Sequence, residues 1–185
     1  MSPRLRPLDP EEIAPDLLEL PAFRRSSRPV PFNIYRTLAH HPDLLRQWLV
    51  FSEGIRFTGR LPARDRELLI LRTGWNCKSE YEWGQHVAFG RRAGITDDEL
   101  LALCRPLAEG SDWTASDRAL LQAADELHDT STLRDVTWTA MESHYDEAQL
   151  VEACMLVGQY HLVSFALNAL GVDRDEGLPP FPSLP

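Results

Sequence analysis

A helical repeat of apolar side chains runs through most of the chain and decides its fold class. From residue 42 onward, leucines, valines and aromatic residues recur every three to four positions. This spacing places them on one face of an α-helix. We find no convincing stretch that alternates apolar and polar residues, as a half-buried strand does. The sequence therefore predicts an all-α protein.

Start and stop signals divide this region into separate helices. Pro42 is suited to a first helical position, and Thr96 with Glu99 has the spacing of a capping box. Gly94 and Gly171 are suited to end helices, because glycine adopts the left-handed conformation without strain. A helix is predicted to begin at Ser116, and further helices are predicted over residues 64–75, 79–93, 135–143 and 147–170.

The last predicted helix, residues 147–170, is apolar nearly all round. Such a helix is buried centrally or at a subunit interface. Together with the proline-rich ends, it carries more apolar surface than one domain of this size readily covers, which predicts a homo-oligomer. No apolar run is expected to approach the roughly 20 residues that cross a bilayer.

Length, charge and cysteine content narrow the classes of function. A chain of 185 residues fits one domain. The net charge of −9 argues against a nucleic-acid partner, which needs a basic face. The first residues lack the apolar segment of a secretory signal, and the three cysteines form no CxxC pair. We therefore expect reduced thiols and a cytoplasmic protein without a membrane partner.

Prolines mark both ends of the chain and suggest its organisation. Residues 1–31 carry seven prolines, so this arm cannot form one long helix. It is predicted to be extended over the domain or a neighbouring subunit, or else disordered. Residues 32–173 form the predicted helical domain, and 174–185 form a proline-rich tail. Leu178, Phe181 and Leu184 could anchor that tail in a groove.

Acidic, aromatic and histidine residues are concentrated between positions 66 and 94. Glu82 and His86 are four residues apart and can meet on one helix face. A carboxylate beside an imidazole supplies general acid and base chemistry near neutral pH. The same spacing also occurs on solvated helix faces. The large rings of Trp75, Tyr81 and Trp83 favour the first interpretation, since they could wall a pocket.

The same region resembles a known family. The segments LPARDRELLILR (61–72), EYEWGQH (80–86) and AGIT (93–96) are similar to the carboxymuconolactone decarboxylase family. Its superfamily also contains the AhpD-type alkylhydroperoxidases, and the resemblance covers roughly residues 43–173. It implies an AhpD-like helical bundle that assembles as a trimer or hexamer, with sites near the subunit interfaces.

The resemblance also implies which residues would act. In the peroxidase branch, a glutamate precedes a CxxC pair, and a histidine follows it. Glu67 and His86 match the glutamate and the histidine, whereas Ser79 and Glu82 occupy the two cysteine positions. A peroxidase cycle that forms a disulfide needs both thiols. The chain therefore looks like the non-redox branch, which handles small organic acids and lactones without a cofactor.

The leading hypothesis is a decarboxylase or isomerase without cofactor or metal. His86 would move the proton. Glu82 would orient His86 or share its proton, and Glu67 would act as the relay behind them. Tyr81 or Tyr160 could donate to a developing oxyanion. The predicted substrate-binding residues are Trp75, Cys77, Ser79, Tyr81, Trp83 and Tyr160. The candidate partners for a substrate anion are Arg56, Arg66 and Arg72.

Three alternatives remain open. Cys77, beside Lys78, could serve a one-cysteine thiol antioxidant, although an inert packed thiol is the preferred interpretation. The chain could be a non-catalytic oligomeric scaffold, which the apolar last helix suits. A metal could bind Glu82 and His86 with a distant histidine. The candidates for that third ligand are His128, His144 and His161. His128 by itself is interpreted as a solvated or capping residue.

Overall fold

A computed structural model describes residues 3–24, 30–109 and 113–183, and these ranges are helical without a strand. The all-α prediction is confirmed. The helices are α1 (Pro15–Leu18), α2 (Pro21–Arg24), α3 (Asn33–Leu38), α4 (Pro42–Phe57), α5 (Ala63–Asn76), α6 (Glu80–Arg92), α7 (Asp97–Ala102), α8 (Ala115–Thr130), α9 (Asp135–Glu142) and α10 (Glu147–Leu170). Short 3₁₀ turns cover Pro10–Glu12 and Leu107–Glu109. Leu184, named above, lies outside the described ranges, as does Pro29, one of the seven prolines of the N-terminal arm.

The chain forms two compact units. One comprises residues 1–59 and 166–177, and the other comprises residues 60–165 and 178–185. These limits differ from the predicted division at residues 31 and 173. The domain boundaries expected from the sequence stay a prediction. All the residues of the candidate site belong to the second unit.

In the first unit, prolines begin short helices instead of preventing them. Pro10, Pro15 and Pro21 are each the first residue of a helical turn. Proline is tolerated there because its missing N–H would have no helical partner anyway. Leu17, in α1, is fully buried in a cluster with Leu45 from α4. The prediction of an extended or disordered arm is therefore wrong for these segments.

The second unit is built around α5, which packs against α6 and α8. Its apolar core includes Leu68 and Leu71 from α5, Val87 from α6 and Leu121 from α8. A Cβ atom at Gly90 would lie 3.0 Å from Cδ1 of Leu71. The absence of a side chain at this position lets α5 and α6 approach closely, which brings their polar residues together further along.

Capping residues set the helix limits much as the sequence predicts. The amide of Glu99 donates to Oγ1 of Thr96 at 3.2 Å, and the amide of Thr96 donates to Oε2 of Glu99 at 2.8 Å. The α8 helix begins slightly earlier than predicted, after a second capping box formed by Thr114 and Asp117. The bounds of α10 are those predicted, and Gly171 follows it with φ +68°.

The α10 helix is long and apolar enough to cross a membrane, by length and composition alone. Its best 18-residue window has a mean hydropathy of 1.4, and half of that window is buried inside the protein. The prediction that no apolar run approaches this length is therefore wrong. Core helices of soluble proteins pass the same test, and residues such as Leu156 and Val157 are core residues here.

Candidate active site

Glu67 and His86 form a direct contact between α5 and α6. Nδ1 of His86 lies 2.7 Å from Oε2 of Glu67, and both side chains are buried. A carboxylate only accepts hydrogen bonds, so the Nδ1–H of the imidazole donates a hydrogen bond to Glu67. In the neutral ring this leaves the lone pair on Nε2. Glu67 therefore lies directly behind His86, and its role as a relay stays a prediction.

The opposite ring nitrogen of His86 faces two more polar groups. The hydroxyl of Tyr160, from α10, lies 3.1 Å from Nε2 of His86. Oε2 of Glu82 lies 3.7 Å from the same nitrogen, beyond the roughly 3.2 Å limit of a good hydrogen bond. Of the two tyrosines that could serve an oxyanion, Tyr160 is the one at the imidazole. Tyr81 instead accepts a hydrogen bond from Gln85 at 3.2 Å.

This group of four side chains, Glu67, Glu82, His86 and Tyr160, is almost completely buried. Their exposed fractions are 5%, 4%, 3% and 3%, respectively. Buried polar groups are costly unless they are paired. Three helices supply them, and the turn between α5 and α6 is sharp, with Lys78 at φ 55°. The local fold therefore serves to bring these groups together.

The tryptophans predicted to wall the site lie in a different aromatic cluster. The rings of Trp75 and Trp83 lie 5.0 Å and 5.6 Å from that of Phe181, which belongs to the tail. The rings next to His86 are those of Phe89 and Tyr160, at 5.6 Å and 5.1 Å. The predicted aromatic surroundings exist, but different residues stand at the imidazole.

The arginines considered for a substrate anion have structural contacts. Arg72 is buried and makes two hydrogen bonds to Asp125, at 2.6 Å and 2.7 Å. It also donates to the carbonyl oxygens of Leu103 and Arg105. Nε of Arg66 lies 3.7 Å from Oε1 of Glu67. Arg66 is therefore the candidate cation near the site, whereas Arg72 is part of the core.

Cys77 lies beside two histidines that sequence reasoning kept apart. Its sulfur lies 3.9 Å from Nδ1 of His128, and that nitrogen lies 2.9 Å from Nε2 of His161. The interpretation of His128 as a solvated or capping residue is therefore wrong. Two of the three histidines considered as metal ligands meet here with Cys77. No sequence motif signals this, since the three residues come from separate helices.

A separate cleft in the second unit lies away from these side chains. It has a volume of about 530 Å³ and is lined by residues of α8 and α9, among them Arg118, Gln122, Arg134 and Thr137. None of the four buried side chains around His86 lines it. This cleft is therefore not the binding cavity for chemistry at His86.

Comparison with known proteins places these residues in a family. Residues 42–126, which include Glu67, Glu82 and His86, match the carboxymuconolactone decarboxylase family. The matched segment runs from the start of α4 into α8, so it contains both helices that form the Glu67–His86 contact. A comparison with curated proteins gave no match.

Several solved structures share the fold of this chain. An alkylhydroperoxidase AhpD core protein from Ralstonia eutropha JMP134, an uncharacterized peroxidase-related protein, has 17% identity and a TM-score of 0.79. The match covers 94% of this chain and 93% of that one. The debrominase Bmp8, as a cysteine-to-alanine variant with 2,3,4-tribromopyrrole, has 18% identity and a TM-score of 0.76, covering 93% and 91%. At such low identity these likenesses concern the fold alone.

A putative antioxidant defence protein AhpD from Agrobacterium tumefaciens is a third such structure. It has 16% identity and a TM-score of 0.69, and the match covers 75% of this chain and 94% of that one.

Ser79, at one of the two positions that cysteines would occupy in the peroxidase branch, is fully buried and precedes α6. Its hydroxyl has no hydrogen-bond partner within the described ranges.

Two of the thiols, those of Cys77 and Cys104, are in surroundings that disfavour the thiolate. Burial raises the pKa of Cys77 to about 11, an effect that the neighbouring Ser164 hydroxyl only partly offsets. Burial also raises the pKa of Cys104 to about 12. None of the three cysteines, all within the described residues, is in a disulfide. A thiol of this kind is a poor nucleophile at neutral pH.

Proposed function

We propose that this protein is a cofactor-free acid and base enzyme that decarboxylates or isomerises a small organic acid or lactone. The observation that carries the proposal is the buried line of hydrogen bonds from Glu67 through His86 to Tyr160. A carboxylate at one ring nitrogen and a phenol at the other is an arrangement that can both take and return a proton.

Glu67 has two roles in this scheme. By accepting the Nδ1 proton of His86, it holds the neutral ring with its lone pair on Nε2, toward Tyr160. When Nε2 takes a proton, the adjacent carboxylate stabilises the imidazolium. The burial of both side chains strengthens this interaction, because less water screens it.

For an isomerisation, Nε2 of His86 removes a proton from the carbon next to the lactone carbonyl. The electron pair of that C–H bond moves into a dienolate, whose oxygen accepts a hydrogen bond from the Tyr160 hydroxyl. Nε2 then delivers a proton to the far carbon of the dienolate. The double bond has moved, and His86 and Tyr160 are as they began.

For a decarboxylation, the bond between the substrate carbon and its carboxylate breaks and CO₂ leaves. The electron pair of the broken C–C bond forms the same dienolate, and protonated His86 supplies one proton to carbon. Glu82 lies 3.7 Å from Nε2, near enough to bring His86 its replacement proton through a small movement. Nε of Arg66 lies 3.7 Å from Oε1 of Glu67, and Arg66 is the candidate to hold a substrate anion.

The assembly we propose is a homo-oligomer, a trimer or hexamer, in the cytoplasm. Four large apolar side chains on α10 are exposed by half or more: Val151, Met155, Leu162 and Phe165. Their spacings of four, seven and three residues keep them on one face, as in the seam of a coiled coil. A second copy of the same helix would cover this stripe.

The thiol antioxidant is the weaker candidate function. The raised pKa of Cys77 leaves little thiolate at neutral pH, and the family's two cysteine positions hold Ser79 and Glu82. A non-catalytic scaffold would have the same buried contacts but no turnover of any substrate. An activity experiment therefore separates the proposal from both alternatives.

The test uses a panel of unsaturated lactone acids, including a carboxylated muconolactone, in D₂O. Proton NMR follows the exchange of C–H for C–D and the rearrangement of the double bond, and a coupled assay follows CO₂ release. The proposal expects turnover by the natural protein and a loss of about 100-fold or more in His86→Gln. His144→Gln is the matched control, since His144 is exposed. Unchanged turnover in folded His86→Gln, or none on any acid or lactone, would leave the scaffold in front.

A further inference from the structure

Cys77, His128 and His161 form a second cluster, separate from the residues that the proposed reaction uses. Cys77 follows the end of α5, His128 lies in the last turn of α8, and His161 lies on α10. One ligand atom from each, the Cys77 sulfur and one nitrogen of each imidazole, lies within 4.8 Å of the other two. All three residues are partly or largely buried.

His161 is oriented as a metal ligand is. Its Nδ1 lies 2.8 Å from the carbonyl oxygen of Val157, one helical turn earlier. A carbonyl oxygen only accepts hydrogen bonds, so the Nδ1–H of His161 is the donor. The lone pair of the neutral ring is therefore on Nε2. Nε2 is the atom that faces His128. Metal-binding histidines typically use such a backbone hydrogen bond to fix the ring and its tautomer.

The donor set and its spacing suit zinc. A thiolate and two imidazoles are zinc ligands, with bonds of about 2.3 Å and about 2.0 Å in a tetrahedral arrangement. That geometry sets the two nitrogens about 3.3 Å apart and the sulfur about 3.6 Å from each of them. The distances here, 2.9 Å between the nitrogens and 3.9 Å from sulfur to Nδ1 of His128, differ from these by less than 0.5 Å. All three ligand atoms lie within 4.8 Å of one another, so the remaining adjustment falls to side-chain rotations.

The charges that act on His128 are of both signs. Asp125 and Asp129 act on His128 from the same helix, and Lys78 opposes them. Asp125 is itself paired with Arg72, so Asp129 is the more available negative charge. Ser164, fully buried, lies beside the thiol. These groups supply a polar shell around the three ligand atoms.

From this arrangement we infer that Cys77, His128 and His161 bind one Zn²⁺ ion per chain through Sγ, Nδ1 and Nε2, respectively. Three protein ligands leave a fourth position for water, as in zinc sites that remain accessible. The site does not depend on the Glu67–His86–Tyr160 line, because none of its ligands belongs to that line. The competing interpretation is a plain hydrogen-bond network between the two imidazoles and the thiol.

The experiment starts from the full chain, stripped with a chelator and dialysed. Titration with Zn²⁺ against a chromophoric chelator should give one equivalent per chain. Cys77→Ser and His161→Gln should each weaken binding by at least about 100-fold, more than the usual loss of an outer partner. Cys154→Ser and His144→Gln are matched controls and should bind as the natural protein does. Circular dichroism checks that each variant folds.

Cobalt gives an independent readout that needs no variant. Co²⁺ bound here should produce a near-ultraviolet charge-transfer band from thiolate to cobalt and the intense visible bands of a tetrahedral ion. Zn²⁺ should also raise the melting temperature of the natural protein, because a ligand of the native state stabilises it by mass action. Binding of less than one equivalent, or Co²⁺ without a thiolate band, would overturn the zinc site and favour the hydrogen-bond network.

Discussion

Oε2 of Glu67 accepts a hydrogen bond from Nδ1 of His86 across the α5–α6 interface, at 2.7 Å and away from water. The two residues are 19 positions apart in sequence. The fold therefore holds a carboxylate directly behind an imidazole whose other nitrogen faces Tyr160. Any proton that His86 takes is stabilised by a partner already in place, and the predictions about activity depend on this pair.

Glu67→Gln should lower kcat strongly and leave the fold intact. A glutamine amide can still contact Nδ1, but it carries no charge to stabilise the imidazolium. We expect a loss of about 100-fold in kcat. The double variant with His86→Gln should cost little beyond the worse single one, because the two residues act as a unit. Steady-state kinetics on the best substrate of the panel measures both. Additive losses would contradict a shared role.

Tyr160→Phe should reduce kcat while the melting temperature changes little. The ring stays in its edge-on contact with His86, whose centroid lies 5.1 Å away, but the hydroxyl donor is lost. Loss of one oxyanion donor typically costs about 100-fold or more in kcat. Tyr81→Phe is the matched control, since Tyr81 contacts Gln85 instead. Equal effects of the two substitutions would argue against an oxyanion role for Tyr160.

Cys77 should not support a peroxidase cycle. Its pKa is raised to about 11 by burial, so in the metal-free protein the thiolate fraction is small at pH 7 and grows only as the pH approaches that value. Alkylation by iodoacetamide should therefore be slow at pH 7 and accelerate up to about pH 11, as mass spectrometry of the modified peptide would measure. Hydroperoxide consumption with a dithiol should be near background, and Cys77→Ser should leave it there. Robust turnover lost in Cys77→Ser would promote the antioxidant alternative.

Arg72→Met should destabilise the second unit by about 3 kcal/mol, the scale for removing one partner of a buried ion pair. The substitution leaves Asp125 without its charged partner and removes two hydrogen bonds to carbonyl oxygens. Urea unfolding measures the change. Arg91→Met is the matched control, because Arg91 pairs with Asp97 at an exposed site and should cost less than about 1 kcal/mol. A small effect of Arg72→Met would release this residue for a role in binding.

Leu162→Glu should shift the protein toward a monomer. Leu162 is 56% exposed in the α10 stripe, and a carboxylate there would have to lose water in any interface. Light scattering should give a mass above 21.0 kDa for the natural protein and a lower mass for the variant. Val136→Glu is the matched control, since Val136 is 67% exposed on α9. A monomeric natural protein would contradict the proposed assembly.

Sequence alone predicted the helices well, because their signals are local. The bounds of α10 and the capping box of Thr96 follow from periodicity and from side chains that reach their own backbone. The N-terminal helices do not follow from the sequence, because the seven prolines exclude one long helix but do not reveal that Pro15 and Pro21 each begin a short one. A proline's effect depends on its place within the turn, which only the packing reveals.

The candidate site was predictable only where its members are close in sequence or match a motif. Glu82 and His86 follow from helical spacing, and Glu67 follows from the family resemblance. The partner of Nε2 did not follow, since both Tyr81 and Tyr160 remained possible until α10 was placed. The cluster of Cys77, His128 and His161 has no local signal, because it forms only when three helices meet.

The contact of Phe181 with Trp75 and Trp83 couples the position of the tail to tryptophan fluorescence. Its backbone amide also donates to Oε1 of Glu80 at 3.2 Å, so the tail is fastened over two indole rings. Release of this segment would expose those rings to water and shift their emission to longer wavelength. The protein thus carries an intrinsic fluorescent reporter of whether its last residues are docked, without any attached dye.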